Sequence, residues 1–394
     1  MPPENLIMYN QDIKDSYDVA IVGARCAGSA TAMLLARMGA RVLVIDQAPA
    51  RSDTLSTHAL MRGAVMQLRN WGLLSRIAAS GAPPIRTTSF IYGDQEPIDI
   101  ELRSSHGSDA LYAPRRMVLD TVIASAAAES GATVRYGVKC QDLVRGSDGF
   151  VCGAILRDAS GQVKTVKSEL VIGADGRQST VARLVGAMKI KEATNASQCV
   201  YGYFSGLSGT GYRWHYGDEA AGGIIPTNDG QSCVFLSMSN QRGPGFAKLS
   251  KIEQFREYIA NSMPQLAQDI RAGSLDGRLV GFGGARGFLR KSCGDGWALV
   301  GDAGYFKDPI TAHGITDALR DAQILAQSWS DCRLDDYVAT RDALSRDLMR
   351  VTDAIAGFNS TTPELMQLHQ NLNTAMKANQ EWIAGNLTQL AEAA

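Results

Sequence analysis

The stretch from residue 18 to residue 46 constrains the fold more than any other. DVAIVG, residues 18–23, is a short apolar run suited to a strand buried on both faces. Residues 27–38 are rich in Ala, Leu and Met, lack proline and end at Gly39, which reads as a helix closed by a C-terminal glycine. RVLVID, residues 41–46, is a second buried strand. Such a strand–helix–strand unit closes as a right-handed crossover with parallel strands. Between the first strand and the helix lies GARCAG, residues 23–28. Gly23 permits the tight turn and Gly28 the close approach of helix to strand, while the helix N-terminus, with Ala27 in its first turn, offers N–H groups and positive potential to a diphosphate. Asp46 ends the second strand, where a carboxylate accepts hydrogen bonds from a ribose with a free 2′-hydroxyl. Arg25 breaks the pattern by standing where a middle glycine is usual, so its side chain must point away from the diphosphate or fold over it.

Composition narrows the rest. Across 394 residues there are 40 glycines but only 12 prolines and no three-residue period, which excludes collagen-like and low-complexity chains. With 39 basic and 40 acidic residues the net charge is −1, leaving no electrostatic reason to expect nucleic acid or an anionic membrane as partner. Seven cysteines lie at long spacings without a CxxC pair, which argues against a disulfide framework and against a metal site. The polar lead before Tyr17 has no secretory-signal pattern, and no apolar run is long enough to span a membrane. A reducing, cytoplasmic, soluble protein is expected.

Further helices are expected over residues 59–70 and 117–130, a strand at 133–136, and a strand pair at 85–92 and 97–102 that interrupts the nucleotide-binding region. LVIGADG, residues 170–176, is another apolar strand ending in a turn. From 198 to 283 the chain turns to β segments dense in Tyr, Phe and Trp, with a helical insertion near 251–260. Alternation on the sheet puts Trp214 and Tyr216 on one face and Arg213 and His215 on the other. WALVGD, residues 297–302, returns to the apolar-strand style, 314–328 is helical, and residues 334–394 are helix-forming with a break at 360–363. GFGGARG, residues 281–287, mimics a phosphate turn but precedes no apolar helix, so it reads as a loop.

VIGADGRQS (171–179) and GWALVGDAGYFKDPITAHGITDALRDA (296–322) resemble the DG and GD fingerprints of FAD-dependent monooxygenases of the p-hydroxybenzoate hydroxylase type. With GARCAG, the resemblance covers residues 17 to 330 and implies FAD as cofactor. It implies that Asp302 binds the ribityl chain, that Gly314 and Ile315 present N–H groups to the flavin ring, and that Pro309 lines the face where oxygen reacts. Asp175 and Gly176 match the DG pair that links the diphosphate site to nicotinamide use. Arg115, before a helix, resembles the family's FAD-contacting arginine, with Arg116 as the alternative one residue on. The family's GxGxN is here Ala312, His313, Gly314, Ile315 and Thr316, which makes His313 a candidate near the flavin. His215 is a second, weaker catalytic candidate, with a structural role as its alternative. DTLSTH, residues 53–58, approaches the flavin by position, without assignable roles.

The fold class is therefore α/β: a Rossmann-like FAD-binding domain, discontinuous in sequence (1–84, 108–195, 284–330), a mostly antiparallel β substrate domain (85–107, 196–283) and a C-terminal helical segment (331–394). The resemblance implies a monooxygenase: NADH or NADPH is the transient reductant, and molecular oxygen forms a flavin hydroperoxide that hydroxylates a small apolar, aromatic or polycyclic substrate. A homodimer is compatible with it. One alternative is an FAD-dependent prenyl or alkene reductase of the geranylgeranyl reductase type, whose sheet segment residues 213–226 faintly resemble. Another is a flavin-dependent halogenase, which by resemblance needs a lysine about 50 residues beyond the glycine turn, whereas none lies between Lys14 and Lys139. A flavin-binding regulator using its C-terminal helices as an interaction surface is the non-catalytic reading.

Overall fold

The strand Ser16–Val22 pairs in parallel with Val42–Asp46 on one side and Val163–Gly173 on the other. Along the first two strands burial alternates cleanly. Val19, Ile21, Val42 and Val44 pack into one hydrophobic cluster, and Val22, Leu43 and Ile45 into another. That two-sided burial is why the segments are continuous apolar runs. The computed structural model describes residues 12–217, 219–242 and 245–387, so part of the polar lead and the last residues of the C-terminal segment lie outside the described residues.

In order across, the first sheet comprises Cys293–Gly294, Trp297–Leu299, Val163–Gly173, Ser16–Val22, Val42–Asp46 and Thr133–Tyr136. An antiparallel meander, Val138–Arg145 with Val151–Asp158, joins it through Val163–Gly173. The period-2 signal of this meander is broken by a register shift between Cys140 and Asp142, which hid it from the sequence. Helices Cys26–Arg37, Arg116–Glu129 and Gly314–Ser330 pack together on one face, and the meander packs over the other.

A second sheet runs in the order Ser274–Phe282, Ser197–Ser205, Ser232–Ser239, Ala220–Pro226, Tyr212–Gly217, Thr87–Tyr92 and Ile98–Glu101. Its pairings are antiparallel except that of Tyr212–Gly217 with Thr87–Tyr92, where the early strand pair docks as an extension. Helices Ile252–Ser262 and Pro264–Asp269 cover the far face over Val200, Phe204, Leu236 and Met238. The near face belongs to the main core through Tyr201, Tyr203, Trp214 and Phe235. Residues 283–287 lead into the short strand Phe288–Arg290, as expected of a loop and not of a phosphate turn.

Two long helices follow, Leu334–Ile355 and Thr362–Asn386, the second opened by a capping box between Thr361 and Glu364. A buried polar cluster ties them to the Gly314–Ser330 helix. Arg320 donates to Asp317 at 3.0 Å, Asp321 at 2.6 Å, Asn379 at 2.6 Å and Ser345 at 3.0 Å, and the Tyr337 hydroxyl donates to the Leu299 carbonyl at 2.6 Å. Removing Arg320 leaves buried Asp321 without its paired cation and takes from Asp317 one of its three partners, Lys307 and His313 remaining. Arg320→Ala is expected to lower unfolding free energy by about 3–5 kcal/mol in denaturant titration, and loss below 1 kcal/mol would show the cluster to be dispensable.

Candidate functional site

The glycine turn sits where the ends of three parallel strands converge. Gly23 has φ +108, and a Cβ there would collide with the Ala174 carbonyl. A Cβ at Gly28 would collide with the Gly23 carbonyl oxygen. Asp46 holds the turn from below, accepting the Ala24 N–H at 2.9 Å and the Ala48 N–H at 2.8 Å. Four lone-pair sites on a carboxylate leave room for two further donors. No side chain caps the helix Cys26–Arg37 at its N-cap, so the N-terminal N–H groups around Ala27 and Gly28 remain as donors at a positive helix end. Arg25 has extended backbone and an exposed side chain, pointing away from the buried turn.

Gly301, at φ +59, brings the end of a neighbouring strand against this helix, because a Cβ there would stand 2.9 Å from that of Ala27. The next residue, Asp302, is half-buried and accepts no hydrogen bond among the described residues. Burial pushes its carboxyl up to about 6, against the opposing pull of Lys307 and Arg116. An acceptor left without a donor at the mouth of a helix pair is chemically matched to a sugar or polyol hydroxyl.

The Asp175 side chain is engaged within the chain. Its carboxylate accepts from the Ser179 hydroxyl and from the Thr180 N–H at 2.6 Å, capping the short helix Thr180–Leu184. The backbone of the DG turn, and not that side chain, meets Gly23, while Gly176 has φ +78 with open space beside it.

The helix Gly314–Ser330 has no side-chain cap at His313, and open space lies in front of Gly314, whereas Ile315 is buried. Before it, Ala312 takes a left-handed φ of +50, and Pro309 is exposed on a turn fixed by Asp308. Asp308 accepts from the Ser197 N–H and hydroxyl, each at 2.6 Å, and from the Ile310 N–H at 3.0 Å, which pins the loop to the second sheet. His313 Nδ1 lies 3.0 Å from Asp317 Oδ1. Burial opposes charge on Asp317, but Lys307, Arg320 and His313 outweigh it and hold the carboxyl well below the usual range. Burial lowers the His313 pKa, with Asp317 offsetting part of the effect, so the imidazole is neutral at pH 7.

The two adjacent arginines separate. Arg115 is the N-cap of the helix Arg116–Glu129, and its guanidinium lies 3.8 Å over the Tyr203 ring while pairing with Asp53 at 2.6 Å. Arg116, the first helical residue, is the one that reaches the glycine turn. It grips Asp120 through both oxygens at 3.0 Å and touches Cys26 Sγ at 3.7 Å, and Asp120 accepts the Cys26 N–H at 3.1 Å. His215 is placed away from the site. Strand alternation turns it to the far face, where Nε2 is 3.2 Å from Asp269 and Arg213 Nε is 2.9 Å from the same carboxylate. The near face carries a row across the sheet, Tyr201, Phe235, Gly223, Trp214 and Phe90.

Uncapped helix ends, the buried cation Arg116, the unpartnered carboxylate Asp302 and open space at Gly176 and Gly314 form a donor and acceptor set that fits a diphosphate-linked dinucleotide. The glycine, DG and GD segments are the ones that the sequence singles out. The Lys307–Asp317–Arg320 cluster was invisible because its members gain meaning only by being buried together.

Residues 16–352 match the FAD binding domain family. A digeranylgeranylglycerophospholipid reductase of Methanocella arvoryzae is 27% identical over 360 residues, 87% of this chain and 84% of that one. A menaquinone reductase of Mycolicibacterium smegmatis is 26% identical over 344 residues, 81% of this chain and 78% of that one. Among solved structures, a mutant of the flavin-dependent brominase Bmp2 superposes with TM-score 0.76 at 19% identity, covering 96% of this chain and all of the other. A probable FAD-dependent monooxygenase from Pseudomonas aeruginosa gives 0.71 at 19%, covering 92% of this chain and all of that one. The site geometry and the family match together place this chain in the FAD binding domain family, as an FAD-dependent oxidoreductase.

Proposed function

We propose that the chain is an NAD(P)H-driven FAD monooxygenase acting on a small apolar, aromatic or polycyclic substrate. The observation that carries this reading is the aromatic near face of the second sheet, joined through Ser197 and Asp308 to the loop that precedes the uncapped Gly314 helix. The chemistry a bound FAD supplies is two-electron transfer, taken from a reduced nicotinamide and delivered to oxygen.

This chain's residues supply position, charge and dryness. Ala27, Gly28 and Arg116 hold the diphosphate, Asp46 the adenosine ribose and Asp302 the ribityl hydroxyls. Gly314 and Ile315 direct the positive end of their helix at the ring, where it favours negative charge on the reduced form. Asp317 accepts the Nδ1 proton of the neutral His313 ring, which leaves Nε2 as the bare nitrogen able to accept a proton from substrate. Tyr201, Trp214 and Phe235 give an aromatic substrate stacking surfaces and exclude water. The reduced nicotinamide docks transiently or a separate reductase supplies electrons, since residues 281–287 form no second phosphate turn.

A second reading, reduction of an isolated double bond in a prenyl chain, is favoured by the reductase names of the relatives reported above. Halogenation is disfavoured by the absence of lysine from residues 15–138, and Lys307 is buried against Asp317.

Holoenzyme given NADH or NADPH with a panel of phenols, in air and without oxygen, separates the readings. Oxygen-dependent consumption of the aromatic supports the monooxygenase, whereas oxygen-independent reduction of a prenyl alkene contradicts it. Asp302→Ala is expected to lower FAD occupancy at least tenfold, read by the flavin-to-protein absorbance ratio; unchanged occupancy removes Asp302 from the site. Its elevated pKa also sets a sign. The ionised carboxylate is the better acceptor, so FAD affinity should fall as pH drops below about 6, by at most about tenfold per pH unit. Asp302→Asn should flatten that dependence.

A further inference from the structure

The C-terminal helix Thr362–Asn386 sets His369 against the near face of the second sheet. Strand pairing places Trp214 beside Phe90 and Tyr216 beside Tyr92, and alternation puts all four side chains on that face. The His369 ring centroid lies 4.5 Å from that of Tyr216, 5.7 Å from Tyr92 and 6.2 Å from Phe90. Tyr92 and Tyr216 stack on each other at 5.2 Å. The aromatic face thus ends at an imidazole delivered by a distant part of the chain.

The same stretch of helix reaches the proposed ring site. Leu365 and Leu372, each one turn from His369, pack with Leu368 into one apolar cluster that includes Ile310, the residue after Pro309. His369 is therefore held between the Pro309 turn and the aromatic face, the two surfaces assigned above to flavin and substrate.

Its polar atoms are only half used. His369 Nδ1 lies 2.7 Å from the Tyr92 hydroxyl, whereas Nε2 has no hydrogen-bond partner among the described residues and is not closed off. Burial pushes the imidazole down to about 4 and the Tyr92 phenol up to about 12, so both are neutral at pH 7. A ring so desolvated, with an accessible nitrogen, lines a crevice and not an open surface. Phe90 and Tyr216 beside it are likewise half-buried.

The pair keeps one donor and one acceptor to spare, whichever member donates across the shared bond. If Tyr92 donates, Nε2 carries the N–H and the phenol oxygen accepts. If Nδ1 donates, Nε2 accepts and the phenol O–H is free. A ligand hydroxyl uses both groups. A carbonyl uses the donor alone, and a carboxylate meets no positive charge on either member.

We propose that His369 and Tyr92 form a specificity-determining pair that binds the ring hydroxyl of a hydroxylated aromatic substrate, an inference that rests on the aromatic-substrate reading above and narrows it. The test is titration of FAD-loaded protein with 1-naphthol and with naphthalene, followed by the visible spectrum of the bound flavin, for wild type, His369→Leu, His369→Gln and Tyr92→Phe. Wild type is expected to prefer 1-naphthol by about tenfold or more. His369→Leu should lose that preference while binding naphthalene within about twofold of wild type, and His369→Gln, which keeps a donor and an acceptor, should recover part of it. Should His369→Leu fail to load FAD, Tyr92→Phe carries the test, because it keeps the ring packing and should lower the preference about threefold or more. A preference unchanged in His369→Leu, or equal loss of both ligands, overturns the proposal, and so does equal binding of the two by wild type. Binding of neither ligand by FAD-loaded wild type overturns the aromatic-substrate reading and the pair's role with it.

Discussion

Close backbone approach at the carboxyl ends of the parallel strands is the constraint on which the site depends. Gly23 lies against Ala174, Gly28 against Gly23, and Gly301 against Ala27, and at each a side chain would force the segments apart. Three stretches distant in sequence therefore converge on one helix N-terminus. The convergence brings together two helix starts whose N-cap residues make no side-chain cap bond, Cys26–Arg37, where Asp120 takes only the Cys26 N–H, and Gly314–Ser330, and stations the unpartnered Asp302 beside them. Helix dipoles, a buried arginine and an unfilled acceptor then follow from packing, with no need for a dedicated catalytic side chain.

The C-terminal helices act on this arrangement from behind. Asn379 and Ser345 bond to Arg320, which pairs with Asp317, which in turn orients His313 one residue before Gly314. The chain of contacts gives residues far from the glycine turn a direct hold on the start of the Gly314 helix. On the opposite side Asp308 clamps the preceding loop to Ser197 of the second sheet. Loop and helix are thus fixed from two directions, as a site that must order a planar ring against a substrate requires.

Much of this was readable beforehand because strands buried on both faces and a glycine turn before an Ala-rich helix carry strong local signals. The alternation of Arg213, Trp214, His215 and Tyr216 was readable too, since side-chain period follows directly from strand geometry. Where the sequence leaves a choice open, the deciding factor is tertiary. Arg115 and Arg116 are chemically identical and adjacent, and only the helix start at Arg116, with Asp120 one turn on, decides which meets the glycine turn. Asp175 matches a motif in sequence while its carboxylate is spent capping a helix.

The central claim is that these convergent segments hold one FAD. Calorimetric titration of flavin-free protein with FAD tests it most directly. The account predicts one FAD per chain, bound with a dissociation constant in the micromolar range or below; absence of saturable binding by correctly folded protein would contradict it.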